Sequence, residues 1–69
     1  MEISARNVLK GTIKDIKYGQ ILVEVVIELS DGVQITSLIT KSSAEHLGLA
    51  VGKEASAIIK SSNVMIGIE

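Results

Sequence analysis

Residues 20–29 read QILVEVVIEL, and the side chains alternate. Ile21, Val23, Val25, Ile27 and Leu29 share one face, while Gln20, Leu22, Glu24, Val26 and Glu28 share the other. A period of two is the signature of a β-strand. The second face mixes charge with Leu22 and Val26, as expected where a neighbouring element covers part of it. Ser30-Asp31-Gly32 follows, and its Asp-Gly pair tolerates the positive φ angles of a tight hairpin turn. Residues 33–40, VQITSLIT, are then the return strand.

Working outward from this hairpin, the period changes at SSAEHLGL, residues 42–49. Ser42 followed three residues later by Glu45 matches a capping box, which satisfies unpaired amides at a helix start, and Gly48 is a natural stop. A helix of about two turns is expected between them. Residues 50–53, AVGK, form a turn; residues 54–61, EASAIIKS, and 64–69, VMIGIE, form two further strands separated by the polar break Ser61-Ser62-Asn63. At the front, ISARNVL and GTIKDIKY read as one long strand with a bulge or bend at Gly11, ending in a Tyr18-Gly19 turn. The expected fold class is therefore all-β with one short helix, a five-stranded OB-like barrel with the helix between the third and fourth strands. There is no repeat or linker, so residues 1–69 are read as a single domain.

The composition places further bounds on this reading. Hydrophobic residues make up 46% of the 69 positions, almost all Ile, Val, Leu and Ala, with Tyr18 the one aromatic and no proline or cysteine. A chain this short has little interior to hold them, and neither a disulfide nor a thiolate-bound metal is available to help. Burying strand faces against other copies is the simplest solution, so a homo-oligomer is expected. No apolar run approaches the ~18 residues of a membrane span, and the N-terminus lacks a secretory pattern. No membrane partner and a cytoplasmic location are the corresponding expectations. Seven basic and eight acidic residues give a net charge of −1, which removes the global attraction that drives nucleic-acid binding. Tyr18 has no aromatic neighbour with which to build a base-stacking platform.

Enzyme templates find little here. His46 is the single histidine, and no two acids share an apolar neighbourhood in the manner of a tuned acid/base pair. The carboxylates are scattered singly, so no metal-cation site is expected. What remains is a set of hydrogen-bond donors where strands begin or end. Ser4 and Arg6, with the amide of Ala5 between them, lie at the front; Thr40 and Ser43 lie at the helix start; Lys60 and Ser61 end a strand. The set offers hydroxyls, amides and two cations, and contains no carboxylate. A fully ionised tetrahedral oxyanion only accepts hydrogen bonds and suits it, whereas monohydrogen phosphate would want an acceptor. Sulfate, molybdate and tungstate all meet that description. The plainer reading is that the hydroxyls are caps and Lys60 a solvated strand end.

The same blocks, ISARNVLKGTI at the front, ITSLITKSSAEHLGL in the middle and AIIKSSNVMI near the end, resemble the molbindin family of Mop or TOBE-type molybdate-binding domains. The similarity runs essentially from end to end, and Ser-Ala-Arg-Asn followed some fifty residues later by Lys-Ser is its most specific part. The resemblance implies an OB-like barrel whose first strands are exchanged in a dimer, with three dimers forming a hexamer. It implies molybdate or tungstate held between subunits, by Ser4, Ala5 and Arg6 of one and Thr40, Ser43, Lys60 and Ser61 of another. It further implies reversible intracellular storage and homeostasis of the oxyanion, with no reaction and no cofactor. A ligand-free structural oligomerisation domain and an OB-type nucleic-acid module are the competing readings.

Overall fold

The computed structural model describes residues 1–69. Strands β1 (Asn7–Tyr18), β2 (Leu22–Leu29) and β3 (Gln34–Thr40) are followed by helix α1 (Lys41–Leu47), strand β4 (Glu54–Ile59) and a single 3-10 turn at Ser61–Asn63. The strands form one antiparallel sheet in the order β3-β2-β1-β4. Its organiser is β1, twelve residues long, which pairs with β4 through Asn7–Thr12 and with β2 from Gly11 to Tyr18. Changing partners along its length makes the sheet curl around it.

Two features of β1 accommodate its two partners. The register against β2 shifts between Ile13 and Asp15, which leaves Lys14 as an extra, bulged residue. The bulge expected at Gly11 is thus three residues further on. Gly11 serves a different purpose: a Cβ there would lie 2.5 Å from the Glu28 carbonyl oxygen and 2.7 Å from Ile27 Cγ2. No larger residue fits where both neighbours of β1 are paired at once.

The alternation in residues 20–29 decides the core. Val23, Val25 and Ile27 are buried, joined by Ile13 of β1, Ala57 of β4 and Ala44 of α1. Leu29, Ile35 and Ile39 pack around them, while Ile21 precedes β2 and is exposed. The hairpin turn forms as expected: Gly32 has φ +89°, and the Asp31 carboxylate accepts from the Val33 amide at 3.1 Å.

The helix begins two residues earlier than its capping-box pattern suggests. Thr40, not Ser42, is the N-cap, its Oγ1 accepting from the Ser43 amide at 3.1 Å. Thr40 already has extended backbone as the last residue of β3, so the chain can pass directly from strand to helix with a cap in place. Gly48 ends the helix in the left-handed region, φ +63°, and Lys53 Nζ donates to its carbonyl at 2.9 Å.

Two expected strand segments take no ladder partner within the chain. Residues 3–6 precede β1, so Ser4 and Arg6 are not strand residues. Residues 64–69 leave the 3-10 turn without joining either sheet edge, which gives four strands where five were expected. The physical reason is visible in exposure: Met65, Ile66 and Ile68 are 93%, 87% and 94% exposed, with nothing of their own chain to pack on.

Candidate functional site

The ends of two strands meet beside the first residue of β1. Asn7 is paired with Ile59 in the ladder, and its side-chain Nδ2 also donates to the Ile59 carbonyl at 3.1 Å. This double tie fixes the residues on either side. Ser4, Ala5 and Arg6 run into it from one direction; Lys60 and Ser61 run out of it in the other. The five line one open cleft of about 610 Å³, together with Ser62 and Asn63 of the 3-10 turn and the apolar Ile3 and Ile58.

The cleft suits an anion for three reasons. Arg6 and Lys60 bring two cations to it, and neither has a carboxylate within salt-bridge distance; the one ion pair in the molecule is Lys10 with Glu54, 3.3 Å apart. Ser4, Ser61 and Ser62 add hydroxyls that make no hydrogen bond within the protein. No acidic residue lines the cleft. A dianion placed there meets donors and positive charge only. Ser62, Asn63 and the tie from Asn7 were not among the residues singled out from sequence. The Ser-Ser-Asn break marked a turn, and only the turn's 3-10 geometry points its side chains back at the opening segment.

Thr40 and Ser43 lie elsewhere. Thr40 Oγ1 donates to Ser43 Oγ at 2.7 Å and accepts from the Ser43 amide, so each residue of the pair orients the other. Having accepted from Thr40, the Ser43 hydroxyl keeps its own hydrogen free to donate outward. The pair sits at the far end of β1 from the cleft. Thr40 is paired with Leu22, one step beyond the Tyr18 end of β1, whereas Ile59 is paired with Asn7 at its start. Eleven residues separate those ends, on the order of 35 Å of strand, in a molecule measuring 36 × 26 × 24 Å. A single chain therefore groups Lys60 and Ser61 with its own Ser4, Ala5 and Arg6, and keeps Thr40 and Ser43 apart from all five.

This architecture and these blocks match known proteins along nearly the whole chain. The TOBE domain family matches residues 3–66. The chain belongs to that family. This TOBE domain is of the molbindin or Mop kind, as its opening and closing blocks suggest. It is 52% identical over 66 residues to molybdenum-pterin-binding protein 1 of Clostridium pasteurianum, covering 96% of this chain and 97% of that one. Among solved structures, MopII from Clostridium pasteurianum superposes with a TM-score of 0.93 at 46% identity, covering 97% of this chain and all of the other. The cytoplasmic molybdate-binding protein ModG, in a form with molybdate bound, gives a TM-score of 0.96, also at 46% identity. This TOBE domain spans 49% of the ModG chain. The curled sheet with one short helix is thus the OB-like fold of the molbindins, as the strand pattern implied.

Proposed function

We propose that this TOBE domain, residues 1–69 acting as one unit, binds molybdate or tungstate reversibly and serves as an intracellular store of the oxyanion. The observation that carries the reading is the cleft in which Arg6 and Lys60 converge without a carboxylate. Its support from relatives is that proteins 46–52% identical to it are described as molybdenum-pterin-binding or molybdate-binding. Ser4, Ala5, Arg6, Lys60 and Ser61 supply amides, hydroxyls and two cations to the anion. Thr40 and Ser43 of another copy supply the remaining donors, since the distance along β1 keeps a chain from using its own. The assembly that follows is a homo-oligomer, a hexamer built as a trimer of dimers. A cytoplasmic location agrees with the description of ModG.

The bare oxyanion fits better than a pterin conjugate. A pterin ring calls for a stacking partner, and no aromatic residue lines the cleft. On this reading the hydroxyls, amides and two cations hold the ion by hydrogen bonds and charge, without a reaction or a cofactor.

Isothermal titration with molybdate, tungstate and sulfate tests the proposal. Heat is expected with the first two and much less with sulfate. A folded, oligomeric protein giving no heat with molybdate would overturn the reading in favour of a structural oligomerisation domain. A gel shift with single-stranded oligonucleotides at low salt should show no complex.

A further inference from the structure

The two halves of the anion cleft are held very differently. On one side, Lys60 and Ser61 are locked by the 3-10 turn, where the Asn63 and Val64 amides donate to the Lys60 and Ser61 carbonyls at 2.8 and 3.3 Å. On the other side, residues 4–6 precede β1 and make no backbone hydrogen bond to the rest of the chain. Arg6 is placed through the residue that follows it, Asn7.

That placement is opposed by charge. Arg6 and Lys60 line the same cleft, and neither has a carboxylate partner, so in the free protein two like charges face each other across it. The nearest restraint is the pairing of Asn7 with Ile59, which is the last rung of the β1–β4 ladder, and terminal rungs fray first. Asn7 adds a second restraint at the same point. Its Nδ2 donates to the Ile59 carbonyl at 3.1 Å, in half-buried surroundings where water competes less for the bond.

We infer that Asn7 is a positioning residue for the oxyanion: its carboxamide staples the start of β1 to the end of β4, so that Arg6 and Lys60 face one cleft before an anion arrives to neutralise them. It acts through Arg6 and does not line the cleft itself. Because the donors are placed in advance, no part of the binding energy is lost to ordering them. The position calls for an amide. Aspartate has the same shape but, ionised, turns only acceptors toward a carbonyl, and leucine fills the space without a donor. The inference rests on the oxyanion reading proposed above.

A double-mutant cycle read by molybdate titration tests it, using the full-length wild type, Asn7→Leu, Arg6→Ala and the two combined. Asn7→Leu alone should weaken binding about threefold to tenfold, the scale of one hydrogen bond. Once Arg6 is replaced there is nothing left for Asn7 to place, so the combined variant should bind within about twofold of Arg6→Ala. A role in stability alone would weaken binding by the same factor in both backgrounds. Such additivity overturns the inference, as does an unchanged affinity in Asn7→Leu. If leucine prevents folding, Asn7→Ala takes its place in the cycle; failure of both to fold makes Asn7 a residue of the scaffold and also overturns the inference. A folded, oligomeric wild type that takes up no molybdate overturns the proposed function together with this role, whereas additive effects in a protein that binds molybdate overturn the role of Asn7 alone.

Discussion

At the scale of single residues, the cleft depends on charge and the helix start depends on a hydroxyl. Arg6 is the only arginine, and its guanidinium has no carboxylate to satisfy it in the free protein. Replacing it with alanine removes one charge-assisted hydrogen bond, worth at least about 1.5 kcal/mol. Molybdate affinity measured by titration should fall about tenfold or more while the oligomer persists; unchanged affinity would assign the arginine to packing. Thr40 has two tasks, since its Oγ1 both caps α1 and orients Ser43. Thr40→Val keeps the shape and removes the oxygen, so thermal denaturation should show a loss of about 1 kcal/mol. Thr40→Ser should restore most of it. The competition between cap sites explains why Ser42 was the one legible in sequence: Ser42 and Glu45 have the spacing of a capping box, but β3 delivers Thr40 already extended.

At the scale of elements, β1 carries the design, because it must accommodate β4 on one side and β2 on the other. Gly11 sits where those pairings overlap. Gly11→Ala forces a methyl against the Glu28 carbonyl, and the ladder must separate to admit it. Overpacking of this kind costs about 1–3 kcal/mol, which a chemical denaturation curve would register as a lowered midpoint. The elements whose partners lie in the same chain were legible in sequence: β2 and β3 from alternation, their turn from Asp-Gly, α1 from its period change and Gly48. The bulge was placed at Gly11 because glycine commonly marks one, whereas Lys14 has no local signature. Residues 64–69 read as a strand because their side chains alternate, yet a strand forms only where a partner edge is offered. For the site, the chemistry of each donor was legible and the distance between Thr40 and Lys60 was not, since that distance is set by the length of β1 and the pairing order.

At the scale of the whole molecule, six buried residues are a slender core for a chain of 69, and the exposed Leu22, Leu38, Val51 and tail side chains call for other copies to cover them. Stability should therefore rise with protein concentration, and the thermal midpoint of a dilute sample should lie below that of a concentrated one. A midpoint independent of concentration across the range where size exclusion reports dissociation would contradict this. Molybdate adds a second increment: at a free concentration of 100 times Kd it stabilises the folded form by about 2.7 kcal/mol per site. Calorimetry at fixed protein concentration separates the two contributions.

The tie between Asn7 and Ile59 joins residues 52 apart in the chain. The cleft beside it unites Ser4, Ala5 and Arg6 with Lys60 and Ser61, so it exists only when residues 4 to 61 have been made and folded. Contacts so distant in sequence close late, after the local hairpin of β2 and β3. A ribosome-bound fragment lacking β4 has no cleft to offer. Oxyanion capture thus discriminates a domain with β4 in place from one still without it, and molybdate uptake by a translating population would lag behind hairpin formation.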